Sequence, residues 1–324
     1  MNTVRKFGSY ACLAAALSMV SLGIAHGAEK KSPMMPGAAT GGAAALPPEG
    51  LYFSNTVTIE SGKLQNGSGN PAVVPGSGSN IKSMNVDLAP SLLWVPGWTV
   101  LGANYGMAVT QPFQWANTDY GGSANGSSTS TKGMFNTIVT PGILSWDLGD
   151  GFFASTALSV YLKNGHSAHE YSAAQGRYVL GGSNYANNYW TVEPSFSLSY
   201  LADGWNLTLT ETLDFNTKNE KTDYYSGTMN YLDVTATKKF GPWELGLVGN
   251  YTQQLEDDEV NGQTVAAVDG FNSRGNKAMQ LEAGPLIAYD FGKVKLTARY
   301  LHGIYAENAG KISFLHLGFS VPIN

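Results

Sequence analysis

The sequence predicts an all-β fold, a single antiparallel transmembrane β-barrel of about twelve strands with short periplasmic turns and long extracellular loops. Three observations predict it. From Leu51 onward apolar and polar residues alternate with a period of two. Connections between the alternating runs are short and long in turn, and aromatic residues gather beside the short ones.

Composition narrows the field first. The chain has 324 residues, 43% hydrophobic and only 13% charged, with 39 glycines. Its charged share is about half the ~25% of soluble domains, too low for charged coiled-coil heptads, while its aromatics are too many for a disordered chain. A formal charge of −5 argues against nucleic acid as a partner, since such binding relies on a basic surface. Beyond residue 28 no stretch approaches the ~18 consecutive apolar residues of a spanning helix.

At the N-terminus, residues 1–27 read as a signal peptide. Arg5 and Lys6 precede an apolar run from Tyr10 to Ile24, and Ala25-His26-Gly27 offers small residues before a cut at Ala28. Cys12 is the only cysteine, and with Ser9 where a lipoprotein prefers leucine, lipidation is disfavoured. An exported chain with no cysteine left must be held by something other than disulfides, such as a closed hydrogen-bonded barrel. Residues 28–48, rich in Ala, Gly, Pro and Met without period, read as a flexible periplasmic tail. A folded plug is the lesser alternative, because the segment has little bulk. Residues 49–324 are the barrel.

The strands follow in order. Met84, Val86, Leu88, Leu92 and Trp94 oppose Asn85, Asp87, Ala89 and Ser91. Trp190, Val192, Pro194, Phe196, Leu198 and Tyr200 oppose Thr191, Glu193, Ser195, Ser197 and Ser199, a run long enough to cross a bilayer at a tilt. Trp205, Leu207, Leu209, Leu213 and Phe215 oppose Asn206, Thr208, Thr210, Thr212 and Asp214, with Glu211 out of place on the apolar side. Trp243, Leu245, Leu247 and Tyr251 face away from Glu244 and Asn250, as do Val294, Leu296, Ala298 and Tyr300 from Lys295, Thr297 and Arg299. Prolines recur inside these strands at Pro90, Pro141, Pro194 and Pro285, where bulges would accommodate them.

Tight turns fall near Pro96-Gly97, Gly149-Asp150, Asp203-Gly204, Gly241-Pro242 and Asp290-Gly292. Aromatic residues flank each: Trp94 and Trp98, Trp146 and Phe152, Tyr200 and Trp205, Phe240 and Trp243, Tyr289 and Phe291. This is the expected aromatic girdle, since such rings settle at headgroup level. Strand parity points Glu193, Asp233, Lys239, Glu244, Glu282, Lys295 and Arg299 into the lumen. Opposed charges there either select solutes or pair to hold the wall. In the loops, Trp115, Tyr120, Tyr171, Tyr178 and Tyr185 either meet an apolar solute or pack the loops.

Leu46-Pro47-Pro48-Glu49-Gly50-Leu51-Tyr52-Phe53, the Pro-Ser/Gly strands ending in Trp or Tyr, and the Gly-Trp strand starts at Gly97-Trp98 and Gly204-Trp205 give the chain a family likeness. It resembles the outer-membrane proteins of the phenol-degradation (MetA-pathway) family from about Leu46 to the end. The resemblance implies one barrel in the outer membrane of a Gram-negative bacterium and passive uptake of small hydrophobic or aromatic compounds, not an enzymatic step. The chain departs from barrel habit at its end, where Phe319 stands several residues before Asn324 in place of a terminal aromatic.

Candidates for chemistry are sparse, and no catalytic or metal site is expected. His166, His169 and Glu170 lie in a long loop, where a metal would want a fixed scaffold and further ligands. Glu256-Asp257-Asp258-Glu259 reads as a solvated run, with calcium or lipopolysaccharide binding through divalent ions as the alternative. His302 and His316 could serve a lipase with Ser313 or Ser320, but no Gly-x-Ser-x-Gly elbow surrounds either serine. No phosphate-cradling glycine loop joins a strand to a helix, so no cofactor is expected. Expected partners are outer-membrane lipid and lipopolysaccharide, the barrel-assembly machinery and a hydrophobic small solute. A structural or adhesive barrel and a barrel hydrolase are the competing readings.

Overall fold

The computed structural model describes residues 29, 32–73, 79–119, 128–173, 175–265 and 277–323. The expected signal peptide of residues 1–27 and the loop aromatic Tyr120 lie outside them.

Twelve antiparallel strands form the wall. They are β1 (Gly50–Leu64), β2 (Lys82–Val95), β3 (Ala103–Thr110, continuing as Phe113–Asp119), β4 (Ser128–Met134, continuing as Ile138–Gly149), β5 (Phe152–Tyr161) and β6 (Thr191–Tyr200). The second half comprises β7 (Trp205–Asn216), β8 (Met229–Phe240), β9 (Trp243–Gln254), β10 (Met279–Asp290), β11 (Lys295–Glu307) and β12 (Gly310–Pro322). Each pairs with its neighbours in sequence, and β12 pairs with β1 from Tyr52↔Pro322 to Leu64↔Gly310. That last pairing closes the sheet, so no edge is left with unpaired N–H and C=O groups facing lipid.

The period-two pattern sets which way each side chain looks. On β7, Leu207, Leu209 and Phe215 are exposed on the outer face while Thr208, Thr210, Thr212 and Asp214 are buried inside. On β6, Val192, Phe196 and Leu198 lie outside and Thr191, Glu193 and Ser199 inside. An outward apolar band against a hydroxyl-lined interior suits acyl chains outside and water within. Glu211 does face outward, where it accepts a hydrogen bond from Asn230 Nδ2 at 2.8 Å. The pair covers two polar groups that would otherwise stand alone on that face.

At the prolines, the expectation of bulges is met only in part. A register shift falls at Pro141, between Val139 and Gly142 against β5. Around Pro194 the β6–β7 register is unchanged, from Val192↔Phe215 to Ser195↔Thr212. The final strand is complete, with Phe319 on its outer face against Phe53 at the closing seam, ring centres 5.7 Å apart.

At the long-loop end, small hairpins cap the barrel. His169–Ser172 pairs with Arg177–Leu180, and Glu259–Val260 lies between Tyr224–Tyr225 and Gln263–Thr264. Turns at the other end are tight, and several need left-handed backbone, as at Asp203 (φ 52) followed by Gly204 (φ 78).

Candidate functional site

The segment read as a flexible periplasmic tail lies inside the barrel. Glu29 lies among the long loops, and residues 32–46 run down the lumen to Leu46 near the short turns before the chain enters β1. Its backbone is held by the wall at successive levels. Leu46 N–H donates to Ser145 Oγ at 3.3 Å, Ala44 N–H to Ser199 Oγ at 2.7 Å and Gly41 N–H to Thr235 Oγ1 at 2.7 Å. Ala39 N–H donates to Asp233 Oδ2 at 3.2 Å and Met34 N–H to Asp214 Oδ2 at 3.3 Å. Carbonyls accept in turn: Gly42 from Asn206 Nδ2 at 3.1 Å, Ala38 from Arg299 Nη2 at 3.2 Å and Thr40 from Arg299 Nη1.

Composition suggested mobility here because small residues bury little surface. Inside a barrel of this width the same property is what lets a chain fit. Gly37 and Gly41 take left-handed backbone (φ +75 and +78), and a Cβ at either would stand 2.8 Å from a methyl of Leu301 or Leu286. The two methionines supply the apolar anchoring. Met34 packs with Met229, Tyr231 and Ala306, and Met35 sits against Leu286, Leu301 and Phe314.

Beside this plug two chambers remain. One, about 310 Å³, lies toward the loops and is bordered by Met34, Met35, Pro112, Phe135, Ile138 and Tyr161, with Asp87 and the hydroxyls of Thr58, Ser91 and Thr110 on the same wall. The other, about 550 Å³, lies toward the short turns and is bordered by hydroxyls such as Ser54, Thr56, Ser155, Ser195 and Ser320. Both chambers are bordered by Ala38, Arg299 and His316, so the two meet at that level.

The residues assigned to the lumen from parity occupy three settings. Asp233 and Arg299 hold the plug as described. Lys295 Nζ bridges to Glu244 Oε2 at 2.8 Å near the short-turn mouth, where Lys239 lines the same hollow. Glu193 and Glu282 are buried in the wall, 8% and 1% exposed. Parity alone did not single out Asp214, Tyr231 or His316, although each shares the inward face of its strand. The missing signal was the plug itself, which turns an inward carboxylate into an anchor.

The ten girdle residues all stand at the short-turn end, several in mutual contact. Trp94 meets Trp98 edge-on at 5.6 Å, Phe152 meets Tyr200 at 5.0 Å, and Trp243 and Phe291 both pack on Tyr289, at 4.7 and 4.5 Å. Among the loop aromatics, Trp115 lies on the outer face of β3 rather than at the mouth, half exposed. Tyr185 is buried against Phe135, while Tyr171 and Tyr178 pair with each other on an exposed hairpin.

Within Glu256 to Glu259, expected as a solvated run, Glu256 and Glu259 are exposed and Asp258 is not. Asp258 is 4% exposed and accepts from Tyr224 OH, Gly227 N–H and Gln254 Nε2, all within 2.8 Å. Glu256 accepts from Tyr225 OH and Thr228 Oγ1. The run ties the loop cap together. Glu29 joins the same cluster through Asn219 Nδ2 at 2.7 Å and, by its own N–H, Ser226 Oγ at 3.1 Å. Burial pushes the carboxyls of Glu29 and Asp258 up to about 6 each.

His302 and His316 lie on opposite faces of the wall. His302 contacts Ser313 Oγ at 3.2 Å on the outer side, whereas His316 Nδ1 meets Thr58 Oγ1 at 2.8 Å on the inner side. The two therefore build no common site.

A protein family described as "Putative MetA-pathway of phenol degradation" matches residues 62–315, more than three quarters of the sequence. The chain belongs to this family. Among solved structures, it is similar to the COG4313 outer membrane channel from Pseudomonas putida F1, with a TM-score of 0.68 at 14% identity over 89% of this chain and 99% of that one. It is also matched to the translocator domain of the autotransporter NalP from Neisseria meningitidis, TM-score 0.49 at 13% identity over 86% and 91%. No match is found among curated protein sequences. The family member described here has the fold of a Gram-negative outer-membrane β-barrel.

Proposed function

We propose that this barrel is a passive outer-membrane channel that admits small hydrophobic or aromatic compounds. The observation that carries the reading is the pair of chambers running beside the plug and meeting at Arg299 and His316 inside a closed wall. The loop-side chamber is mostly apolar and of a size to take a single aromatic ring; the inner one is lined by hydroxyls that exchange easily with water. The family's association with phenol degradation supports the same solute class. Flow follows the gradient, and the wall's partners are lipid and lipopolysaccharide.

The test is initial-rate uptake of labelled phenol at limiting concentration by Gram-negative cells expressing the chain, with the folded barrel verified by its altered migration before boiling. Faster uptake than in vector controls is expected. Equal uptake with a folded barrel would overturn the channel reading in favour of a structural barrel.

A further inference from the structure

The plug divides the lumen's charges unequally. Asp214 and Asp233 spend oxygens on plug amides, Asp233 taking Asn250 Nδ2 as well at 2.8 Å, and Glu244 is occupied by Lys295 and by Thr237 Oγ1. On the open side, none of the described residues bordering the inner chamber is a carboxylate, and Arg299 and His316 are the ionisable ones among them. The two are direct partners across the β11–β12 ladder, so they form one patch.

That patch has donors to spare. His316 is 2% exposed and stacks on Phe314, with ring centres 5.9 Å apart. Thr58 Oγ1 lies 2.8 Å from its Nδ1, and its Nε2 has no hydrogen-bond partner; in the tautomer where the hydroxyl donates to Nδ1, the proton is on Nε2. Arg299 Nε is likewise unpartnered, while its two terminal nitrogens are given to neutral carbonyls of the plug. A buried N–H without an acceptor is costly, so a solute acceptor at this level is favoured. A carboxylate is also a stronger acceptor than the backbone carbonyls that Arg299 now holds.

We propose that Arg299 and His316 form an anion-recognition site, and that the solute class is aromatic carboxylates. The ring lies against the apolar part of the loop-side chamber, at Phe135, Ile138 and Met35, and the carboxylate reaches the patch where the two chambers meet. Asp87 on the loop-side wall has Oδ1 taken by Gln114 Nε2 at 2.6 Å and faces the ring's chamber rather than the hydroxyl-lined one. Asp233 lies within electrostatic reach of Arg299. This inference deepens the channel reading and rests on it for the direction of flow, but the binding step is tested separately.

Calorimetric titration of the full mature chain in detergent at pH 7 compares sodium benzoate with benzyl alcohol and benzylammonium chloride. Benzoate is expected to bind saturably and at least about tenfold more tightly than either, with His316→Gln and Arg299→Gln each weakening it about tenfold and Arg299→Lys recovering part of the loss. His316→Gln leaves the plug contacts of Arg299 in place, so it reads the site even where Arg299→Gln disturbs folding. Benzoate binding no tighter than benzyl alcohol, or indifferent to His316→Gln, overturns the proposal. Should benzoate bind while phenol uptake by cells is unchanged, the channel reading falls and the site stands; the reverse pair of results removes the site alone.

Discussion

The two sides of the lumen are built from similar residues and used differently. On β7 and β8, Asp214, Tyr231, Asp233 and Thr235 point inward and are consumed by the N-terminal segment. On β12 and β1, Ser320, Ser54 and Thr56 also point inward and border open chambers. At the level of the inner chamber the difference is carboxylate content, since the inward Glu60 of β1 lies farther toward the loops, where it accepts from Asn85 Nδ2 at 2.8 Å. The plug is a run of turns that leaves some N–H donors without a backbone partner; Met34 and Ala39 give theirs to the charged acceptors of the β7–β8 wall, and Gly41 gives its own to the Thr235 hydroxyl. Hydroxyls, each a donor and an acceptor, serve equally well with water or a passing solute. The carboxylates of β7 and β8 thus help to anchor the plug on one side, and the passage is left on the other.

The largest break in that comparison would come from removing residues 29–45 while keeping the signal region. Single-channel conductance in planar bilayers should rise severalfold, because both sides of the lumen would then be open; unchanged conductance would mean the plug does not limit passage. A next, smaller effect is expected from Asp214→Ala, which strips the acceptor from Met34 N–H and Tyr231 OH. Losing it should loosen plug docking by about 1–3 kcal/mol, read as faster amide exchange at Met34 and Ala39. By contrast Ser54→Ala on the opposite wall should leave those amides within about 0.5 kcal/mol of the parent.

Gly41→Ala sharpens the comparison from the plug's side. The left-handed backbone and the close approach to Leu286 should cost about 1–2 kcal/mol of docking, seen as exchange at Gly41 and Ala44 rather than at strand amides. The smallest effect concerns the loop end. Glu29 and Asp258 have carboxyls raised to about 6 by burial, so the docked cluster holds protons that an undocked one releases. Its stability is therefore full below about pH 4 and is lost as pH rises through about 6. Exchange at Gly227, corrected for its intrinsic rate, should be slower at pH 5 than at pH 7.5. Asp258→Asn should flatten that difference.

How much of this was legible in the sequence follows from the range over which each signal acts. The strands around Trp190–Tyr200 and Trp205–Phe215 announce themselves because a membrane wall forces every second residue to face lipid, and that rule is local. The inward set of Glu193, Asp233, Glu244, Glu282, Lys295 and Arg299 follows from the same parity. Which of them meet does not, because Arg299 reaches Ala38 and Thr40 across more than two hundred residues of chain. The loop aromatics were harder, since outside a strand no period says where Trp115 ends or Tyr185 packs.

By itself, then, the sequence determined the closed wall, its girdle of aromatics at the short-turn end and the sign of its faces, all consequences of alternation against lipid. Tertiary structure alone decided the fate of Glu29 and residues 32–48. A segment of Ala, Gly, Pro and Met has no fold of its own, and only the completed barrel offers the acceptors that its backbone N–H groups require.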